Sequence, residues 1–250
     1  MKHKISLFTI FLVLTSGMTA SGSRPDLSAH FFQGNRAYSG GDYKKAINEY
    51  EAIIKDGFES GGLYYNLGNS YIKDGQLGRA ILNYERAKTL IPRDSDLESN
   101  YAYARTLVRN YVQNSQAGPV RTMINNYMDS FSSEELAVVI FVMYLLIGGI
   151  SLLGLFMRWR MSRRAGILIF LGLLMIANLI VLLMKLEDEG AAVILKSVNA
   201  KFEPMGIATI YFQLSEGEKV NVLKEQQQWL KVKRSDEKEG WIEKDALEKI

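Results

Sequence analysis

The 250-residue chain contains no cysteine and only two histidines, His3 and His30. The lack of cysteine excludes disulfides, thiolate metal sites, a cysteine nucleophile and a lipid-modified N-terminal cysteine. His3 lies in a predicted targeting segment, which leaves a single histidine for the mature chain. One histidine is little material for a zinc site or a histidine-based triad. We therefore expect no bound metal and no other cofactor.

Positive and negative charges are also nearly balanced. The sequence has 30 Lys+Arg against 27 Asp+Glu, and four of the arginines fall within residues 158–164. A nucleic-acid binder needs a basic face for phosphates, and no surplus of positive charge exists outside this one short segment. The motifs GxGxxG, HExxH and GxSxG and the P-loop motif are absent as well. The sequence therefore predicts neither a nucleic-acid partner nor an enzyme.

Charged residues are absent from two long apolar runs, residues 136–157 and 165–184. At about 1.5 Å of rise per helical residue, each run can cross the roughly 30 Å hydrocarbon core of a bilayer. The connecting residues 158–164 are so few that the two helices must be antiparallel neighbours. The sequence therefore predicts a transmembrane hairpin.

The short connector sets the predicted orientation of this hairpin. Its four positive charges are Arg158, Arg160, Arg163 and Arg164. Arginine and lysine accumulate in short cytoplasmic loops, so that the connector is predicted to be cytoplasmic and both flanking regions to lie outside.

Residues 1–22 independently indicate the same orientation because they are typical of a secretory signal peptide. Lys2 and Lys4 precede the apolar run Ile5–Leu14, and Ala20-Ser21-Gly22 has the small-x-small form of a cleavage site. The alternative is an uncleaved membrane anchor.

One strongly polar residue, Asn178, falls inside the second predicted span. Counted from Met161 at the tip of the hairpin, Asn178 lies level with Tyr144. Amides and hydroxyls form hydrogen bonds between neighbouring spans, which predicts a contact of Tyr144 with Asn178. A polar functional site within the membrane is the alternative.

The region before the hairpin repeats itself with a period of 34 residues. The recurring residues are small or aromatic: Gly34-Asn35 aligns with Gly68-Asn69, Gly41 with Gly75, Ala46-Ile47 with Ala80-Ile81, and Tyr50-Glu51 with Tyr84-Glu85. This period and pattern resemble the tetratricopeptide repeat, a pair of antiparallel helices that stacks into an α-solenoid. We predict an array over residues 26–112.

The array divides into repeats 27–60 and 61–94 and a capping helix, residues 95–112. The residues from 113 to 135 are predicted to be a linker, with a short amphipathic helix from Val120 to Met128 as one interpretation. Since about three units are usually needed for a stable array, this one needs additional support.

In tetratricopeptide proteins, the first helix of each repeat lines a concave, peptide-binding face. The resemblance places seven residues of this chain there: Phe31, Asn35, Tyr38, Tyr65, Asn69, Ile72 and Lys73. Asparagine side chains at repeated positions can donate to and accept from a peptide backbone. Packing within the helix is the alternative role for Asn35 and Asn69.

Residues 190–250 change from helical to alternating periodicity, which predicts short strands. The order of Glu216-Gly217, Trp229 and Gly240-Trp241 resembles bacterial SH3-like domains, which implies a small β-barrel. Some relatives bind cell-wall peptides; a structural role is the alternative.

The predicted fold class is therefore multidomain: an α-solenoid, a two-helix transmembrane hairpin and a small SH3-like β-barrel. This order resembles the BatE family of Bacteroides aerotolerance operons. The resemblance implies an inner-membrane protein with both outer domains in the periplasm. It also implies partners, which are Bat membrane proteins with von Willebrand factor A (VWA) domains and a MoxR-type ATPase. A docking scaffold is the first hypothesis, and a module that binds peptidoglycan is the second.

The orientation can be tested with topology reporters. We expect fusions after residues 130 and 200 to report the periplasm and a fusion at Ser162 to report the cytoplasm, because the loop arginines resist translocation. Replacement of all four arginines with neutral residues should give mixed reporter signals at these sites. A cytoplasmic signal from residue 200 would contradict the hairpin.

Overall fold

The computed structural model describes residues 25–109, 118–156, 161–187 and 190–250. The predicted signal segment 1–22 lies outside these ranges, as do residues 110–117 and the loop residues Arg158 and Arg160. The chain forms a helical array, two long apolar helices and a C-terminal antiparallel sheet. These three parts confirm the predicted fold class.

The array consists of five helices that follow one another through short turns. They are α1 (Pro25–Ser39), α2 (Tyr43–Lys55), α3 (Gly61–Lys73), α4 (Leu77–Leu90) and α5 (Ser95–Leu107). Within each of the first two hairpins the turn contains a glycine with φ of +81°, Gly41 and Gly75. Side chains rarely adopt this conformation, which explains why glycine recurs at the turn.

Each hairpin is closed by a tyrosine ring that lies on a glycine. A Cβ atom on Gly34 would stand 2.5 Å from Cε1 of Tyr50, and one on Gly68 would stand 2.7 Å from Cε1 of Tyr84. Both tyrosines are almost fully buried. The 34-residue period in the sequence therefore reflects a repeated packing contact.

The segment predicted to be a linker is largely helical. Helix α6 (Pro119–Ser130) is followed by α7 (Ser133–Phe156). Ser132 Oγ accepts a hydrogen bond from the Glu135 amide at 3.1 Å, and Glu135 Oε2 accepts one from the Ser132 amide at 2.9 Å. This reciprocal capping box explains why α7 begins before residue 136.

The second long helix, α8 (Met161–Glu187), packs antiparallel to α7. Arg163 and Arg164, assigned to the loop by the sequence, belong to its first turn. Large apolar side chains such as Phe141 and Phe170 are more than half exposed. Residues 133–154 and 165–185 are long and apolar enough to cross a membrane.

The predicted pairing of Tyr144 with Asn178 requires correction. Tyr144 is 64% exposed, whereas Oδ1 of Asn178 accepts a hydrogen bond from the Tyr127 hydroxyl at 2.7 Å. Nδ2 of Asn178 donates to the Leu174 carbonyl oxygen at 2.9 Å. Counting from the hairpin tip failed because α6, which the sequence left within the linker, brings Tyr127 to Asn178.

The C-terminal region forms one seven-stranded antiparallel sheet with the order β3-β2-β6-β5-β4-β1-β7. The strands are β1 (Ala191–Ile194), β2 (Val198–Lys201), β3 (Ile210–Leu214), β4 (Lys219–Gln226), β5 (Trp229–Lys233), β6 (Glu239–Glu243) and β7 (Leu247–Lys249). β1 ends at Ile194, and the chain resumes as β2 at Val198.

The sheet domain packs directly on α4 of the array. Val193 belongs to the same buried apolar cluster as the array core. A Cβ on Gly78 would stand 2.6 Å from the Ile194 carbonyl oxygen. A Cβ on Gly217 would stand 2.9 Å from Cγ2 of Val108 and 3.3 Å from Cγ1 of Ile81. One glycine from each side therefore allows this close approach.

Polar contacts reinforce the same interface. The Gly78 amide in the first turn of α4 donates to Oε1 of Glu216 at 2.8 Å, while Gln76 at the N-cap makes no side-chain cap bond. Glu216 thus caps α4 from another domain, where a negative charge also complements the helix dipole. Arg86 of α4 donates to Glu248 Oε1 at 2.8 Å and to the Lys249 carbonyl oxygen at 2.9 Å.

We expect Gly78→Ala to loosen this interface, because the new methyl group meets backbone atoms of β1 that cannot rotate away. Hydrogen–deuterium exchange of the full chain should become faster in β1 and in the first turn of α4. Gly62→Ala is the matched control, since a Cβ there has no neighbour within 4 Å. Equal protection in the two variants would contradict the glycine contact.

Candidate functional site: the concave face of the array

The candidate site is the face of the array on which α1, α3 and α5 lie side by side, since the sheet domain covers α4. In the part of the chain that the structure describes, two depressions adjoin α1. The first, of about 140 Å³, is lined by Asn35, Tyr38, Ser39, Tyr50, Asn66 and Asn69. It brings together three of the seven residues predicted for peptide binding.

The second depression is larger and mostly apolar. Its volume is about 420 Å³, and it is lined by Leu27, Ser28, Phe31, Ile53, Phe58, Ser60 and Leu63. Of the predicted residues it contains Phe31, one helical turn before Asn35. An apolar recess therefore lies beside the polar one along α1.

The remaining predicted residues line neither depression. The Tyr65 hydroxyl accepts a hydrogen bond from Asn100 Nδ2 at 2.9 Å. Ile72 packs partly buried against the array core, and Lys73 is exposed in the last turn of α3.

Asn35 is held by two hydrogen bonds to one atom. Its Oδ1 accepts from the Tyr50 hydroxyl at 2.6 Å and from Asn66 Nδ2 at 3.3 Å. The partners come from α2 and from the next repeat. The Asn35 amide therefore links one hairpin to its neighbour.

Asn69 repeats this arrangement 34 residues further on. Its Oδ1 accepts from the Tyr84 hydroxyl at 2.6 Å and from Asn100 Nδ2 at 2.9 Å. Asn100 lies on α5, so that α5 stands where the first helix of a third repeat would stand. We call Asn35, Asn66, Asn69 and Asn100 the amide ladder.

Tyr50 and Tyr84, whose hydroxyls bond to the amide ladder, stay protonated at neutral pH. Burial, with a smaller contribution from Tyr38, raises the pKa of Tyr50 to about 12. Burial first, and then Tyr65 and Tyr38, raises the pKa of Tyr84 above its usual range. At neutral pH both hydroxyls are protonated and donate to Oδ1 of Asn35 and Asn69, the same atoms that accept from Asn66 and Asn100.

The hydrogen bonds of Asn35 and Asn69 within the array determine which of their amide atoms can still bind a ligand. Both Oδ1 atoms are occupied, and among the described residues no acceptor contacts Nδ2 of Asn35 or Asn69. The expectation that each amide donates and accepts toward a peptide is therefore corrected: the free capacity is donation. Such a surface suits carbonyl or carboxylate oxygens.

Sequence reasoning missed Asn66 and Asn100 as ladder members. Their own 34-residue spacing was a usable signal, but the comparison of the first repeat with the second cannot reveal it, because residue 32 is a phenylalanine. Phe58 of the apolar depression carries no repeat signal, because it aligns with Pro92.

The sheet domain presents a different surface. The hairpin that joins β2 to β3 exposes apolar side chains, with Ile207 at 95%. Phe202 and Tyr211 stack with ring centroids 4.4 Å apart. Trp229 and Trp241 are buried instead. This hairpin is the apolar face available on the sheet domain.

Over residues 25–109, 118–156, 161–187 and 190–250, no group of three His, Cys, Asp or Glu side chains is placed to hold a metal ion. His30 contacts Glu49 through Nδ1 at 2.6 Å.

Comparisons with known families agree with the folds of the array and the sheet domain. Residues 62–94 match the tetratricopeptide repeat model, and residues 196–248 match the bacterial SH3 domain model. No curated protein matches the chain significantly. The chain thus combines two kinds of interaction module, one known for protein–protein contacts and one that in some proteins binds peptidoglycan.

Proposed function

We propose that the chain is a membrane-anchored, non-catalytic scaffold that docks extended segments of partner proteins on the concave face of its array. The observation that carries this proposal is the amide ladder. Nδ2 of Asn35 and Nδ2 of Asn69 are equivalent donors one repeat apart, and an extended peptide offers backbone carbonyl oxygens along its length. The adjacent apolar depression around Phe31 can receive one apolar side chain of the same segment.

The anchor in this proposal is the pair α7 and α8. Their apolar side chains are exposed on most sides, and so much apolar surface is stable only in an apolar phase. The array and the sheet domain contact each other although both helices separate them in the chain. That contact requires both domains to lie on one side of the membrane, which supports the hairpin topology.

We further propose that this side is the periplasm and the membrane is the bacterial inner membrane. The arginine-rich connector and the signal-like residues 1–22 support this orientation. The resemblance to the BatE family suggests VWA-domain Bat proteins as partners, in a complex that serves tolerance of oxygen or envelope stress. With no cysteine, the contribution of this chain would be assembly and not redox chemistry.

A second candidate function is peptidoglycan binding through the sheet domain. The exposed Phe202–Tyr211 pair favours it, because stacked aromatic rings can contact sugars and peptide stems. Sedimentation of the full chain with purified peptidoglycan, compared with an Ile207→Ser variant, separates this function from docking on the array.

We expect the double variant Asn35→Asp with Asn69→Asp to lose docked partners while it keeps the fold. A carboxylate still accepts from the tyrosine hydroxyls and from the neighbouring amides, but it cannot donate to a peptide carbonyl. Two lost hydrogen bonds of about 1.4 kcal/mol each correspond to roughly a hundredfold in affinity. Cross-linking in the native membrane followed by quantitative mass spectrometry measures the partners that remain.

The matched control is Asn199→Asp with Asn221→Asp, which adds the same charge at exposed positions of the sheet domain. This control should retain the partners. Equal loss in both double variants would assign the effect to charge, and full retention in both would contradict docking by the ladder. Alanine is less informative at Asn35 and Asn69, since it also removes the acceptors of the Tyr50 and Tyr84 hydroxyls.

A further inference from the structure

We infer that α6 is an interfacial helix whose apolar face, formed by Met123, Ile124 and Tyr127, lies in the outer lipid–water boundary and contacts lipid. The inference rests on the proposed membrane anchoring of α7 and α8. It assigns a lipid-binding surface to a segment that the sequence left within the linker.

The position of α6 follows from its contacts with the outer end of α8. Lys185 donates from Nζ to the carbonyl oxygen of Met128 at 2.9 Å and also to that of Phe131. The Tyr127 hydroxyl donates to Asn178 Oδ1. Asn178 precedes Lys185 by seven residues, about 10 Å along a helix. The Tyr127 side chain thus reaches a level of α8 that lies well inside the apolar run.

The exposed face of α6 has the composition of an interfacial helix. Met123 is 76% exposed and Ile124 42% exposed. Tyr127 is three residues from Ile124 and four from Met123, spacings that place side chains on neighbouring positions of one helix face. Asn126, also exposed, lies about 160° around the helix from Ile124, on the polar side. An apolar face and a polar face on a short helix are typical of helices that lie in the membrane plane.

The occupant of this face is identified by its continuity with the spans. Only two residues separate the end of α6 from the start of α7, and Tyr127 reaches Asn178. The apolar face of α6 therefore stands at the edge of the phase that surrounds α7 and α8. A soluble protein would have to displace lipid to reach it. Phe131, whose ring lies 5.1 Å from that of Tyr127, extends the aromatic surface toward the span.

The same helix is tied to the array. Arg93 donates to the Ser130 carbonyl oxygen at 3.3 Å and forms an ion pair with Glu135. Its guanidinium lies 5.6 Å above the ring centroid of Phe131. A lipid-embedded α6 would therefore hold the array at a fixed height above the membrane.

The lack of native cysteine allows a direct test by single nitroxide labels. Ile124→Cys, Asn126→Cys and Ile176→Cys are made in the full chain and reconstituted into vesicles of phosphatidylethanolamine and phosphatidylglycerol. Spin relaxation by oxygen, which concentrates in lipid, is compared with relaxation by a water-soluble nickel chelate. We expect the ratio of oxygen to nickel accessibility at residue 124 to exceed that at residue 126 by about threefold or more, as for a shallowly buried apolar face.

The label at residue 176, in the middle of α8, reports the anchoring itself. A high ratio at 176 with equal, low ratios at 124 and 126 would overturn the interfacial helix while the anchoring stands. A low ratio at 176 would overturn the proposed anchoring and this inference with it. Shielding of residue 124 from both reagents would also overturn the inference, because it would indicate a protein partner on this face.

Discussion

The contact between α4 and the sheet domain is the constraint on which the rest of the structure depends. It brings together residues separated in the chain by both apolar helices, and it works only because Gly78 and Gly217 each allow another domain to approach closely. Glu216 completes it by capping the first turn of α4 with a carboxylate. Since α4 has no side-chain cap of its own, the helix and the sheet domain are complementary. The array and the sheet domain therefore form one unit, and the two apolar helices α7 and α8 lie in the chain segment that connects them.

This contact also explains how so short an array can be stable. In the first repeat, Glu51 accepts a hydrogen bond from the Tyr71 hydroxyl and lies 3.9 Å from Arg79 of the following repeat. In the second repeat, the equivalent Glu85 accepts a hydrogen bond from the Tyr101 hydroxyl and forms an ion pair at 3.2 Å with Lys219 of the sheet domain. The sheet domain thus supplies what a next repeat would supply. It covers the exposed end of the apolar core and leaves the concave face uncovered.

The elements with strong local signals could be predicted from the sequence, whereas their mutual contacts could not. The 34-residue period located the helix hairpins because Gly68 and Tyr84 recur with their packing, and the absence of charge located the two apolar helices. Helix α6 was only one interpretation, because no side-chain cap marks its start at Gly118; the capping box of Ser132 and Glu135 belongs to α7. The docking role of Glu216 could not be predicted from the sequence, because its partner Gly78 lies 138 residues away. At the candidate site, Asn35 and Asn69 were found by recurrence, but the direction of their hydrogen bonds depends on buried hydroxyls that no spacing reveals.

The central claim is that partners bind the concave face of the array and not the sheet domain. The most direct measurement is site-specific photocrosslinking in the native membrane, with p-benzoylphenylalanine placed at Tyr38 beside the amide ladder or at Ile207 on the exposed hairpin. We predict discrete protein adducts from residue 38, absent when Asn35 and Asn69 are both changed to aspartate, and no corresponding adducts from residue 207. Adducts that form only from residue 207, with none from residue 38, would contradict the claim.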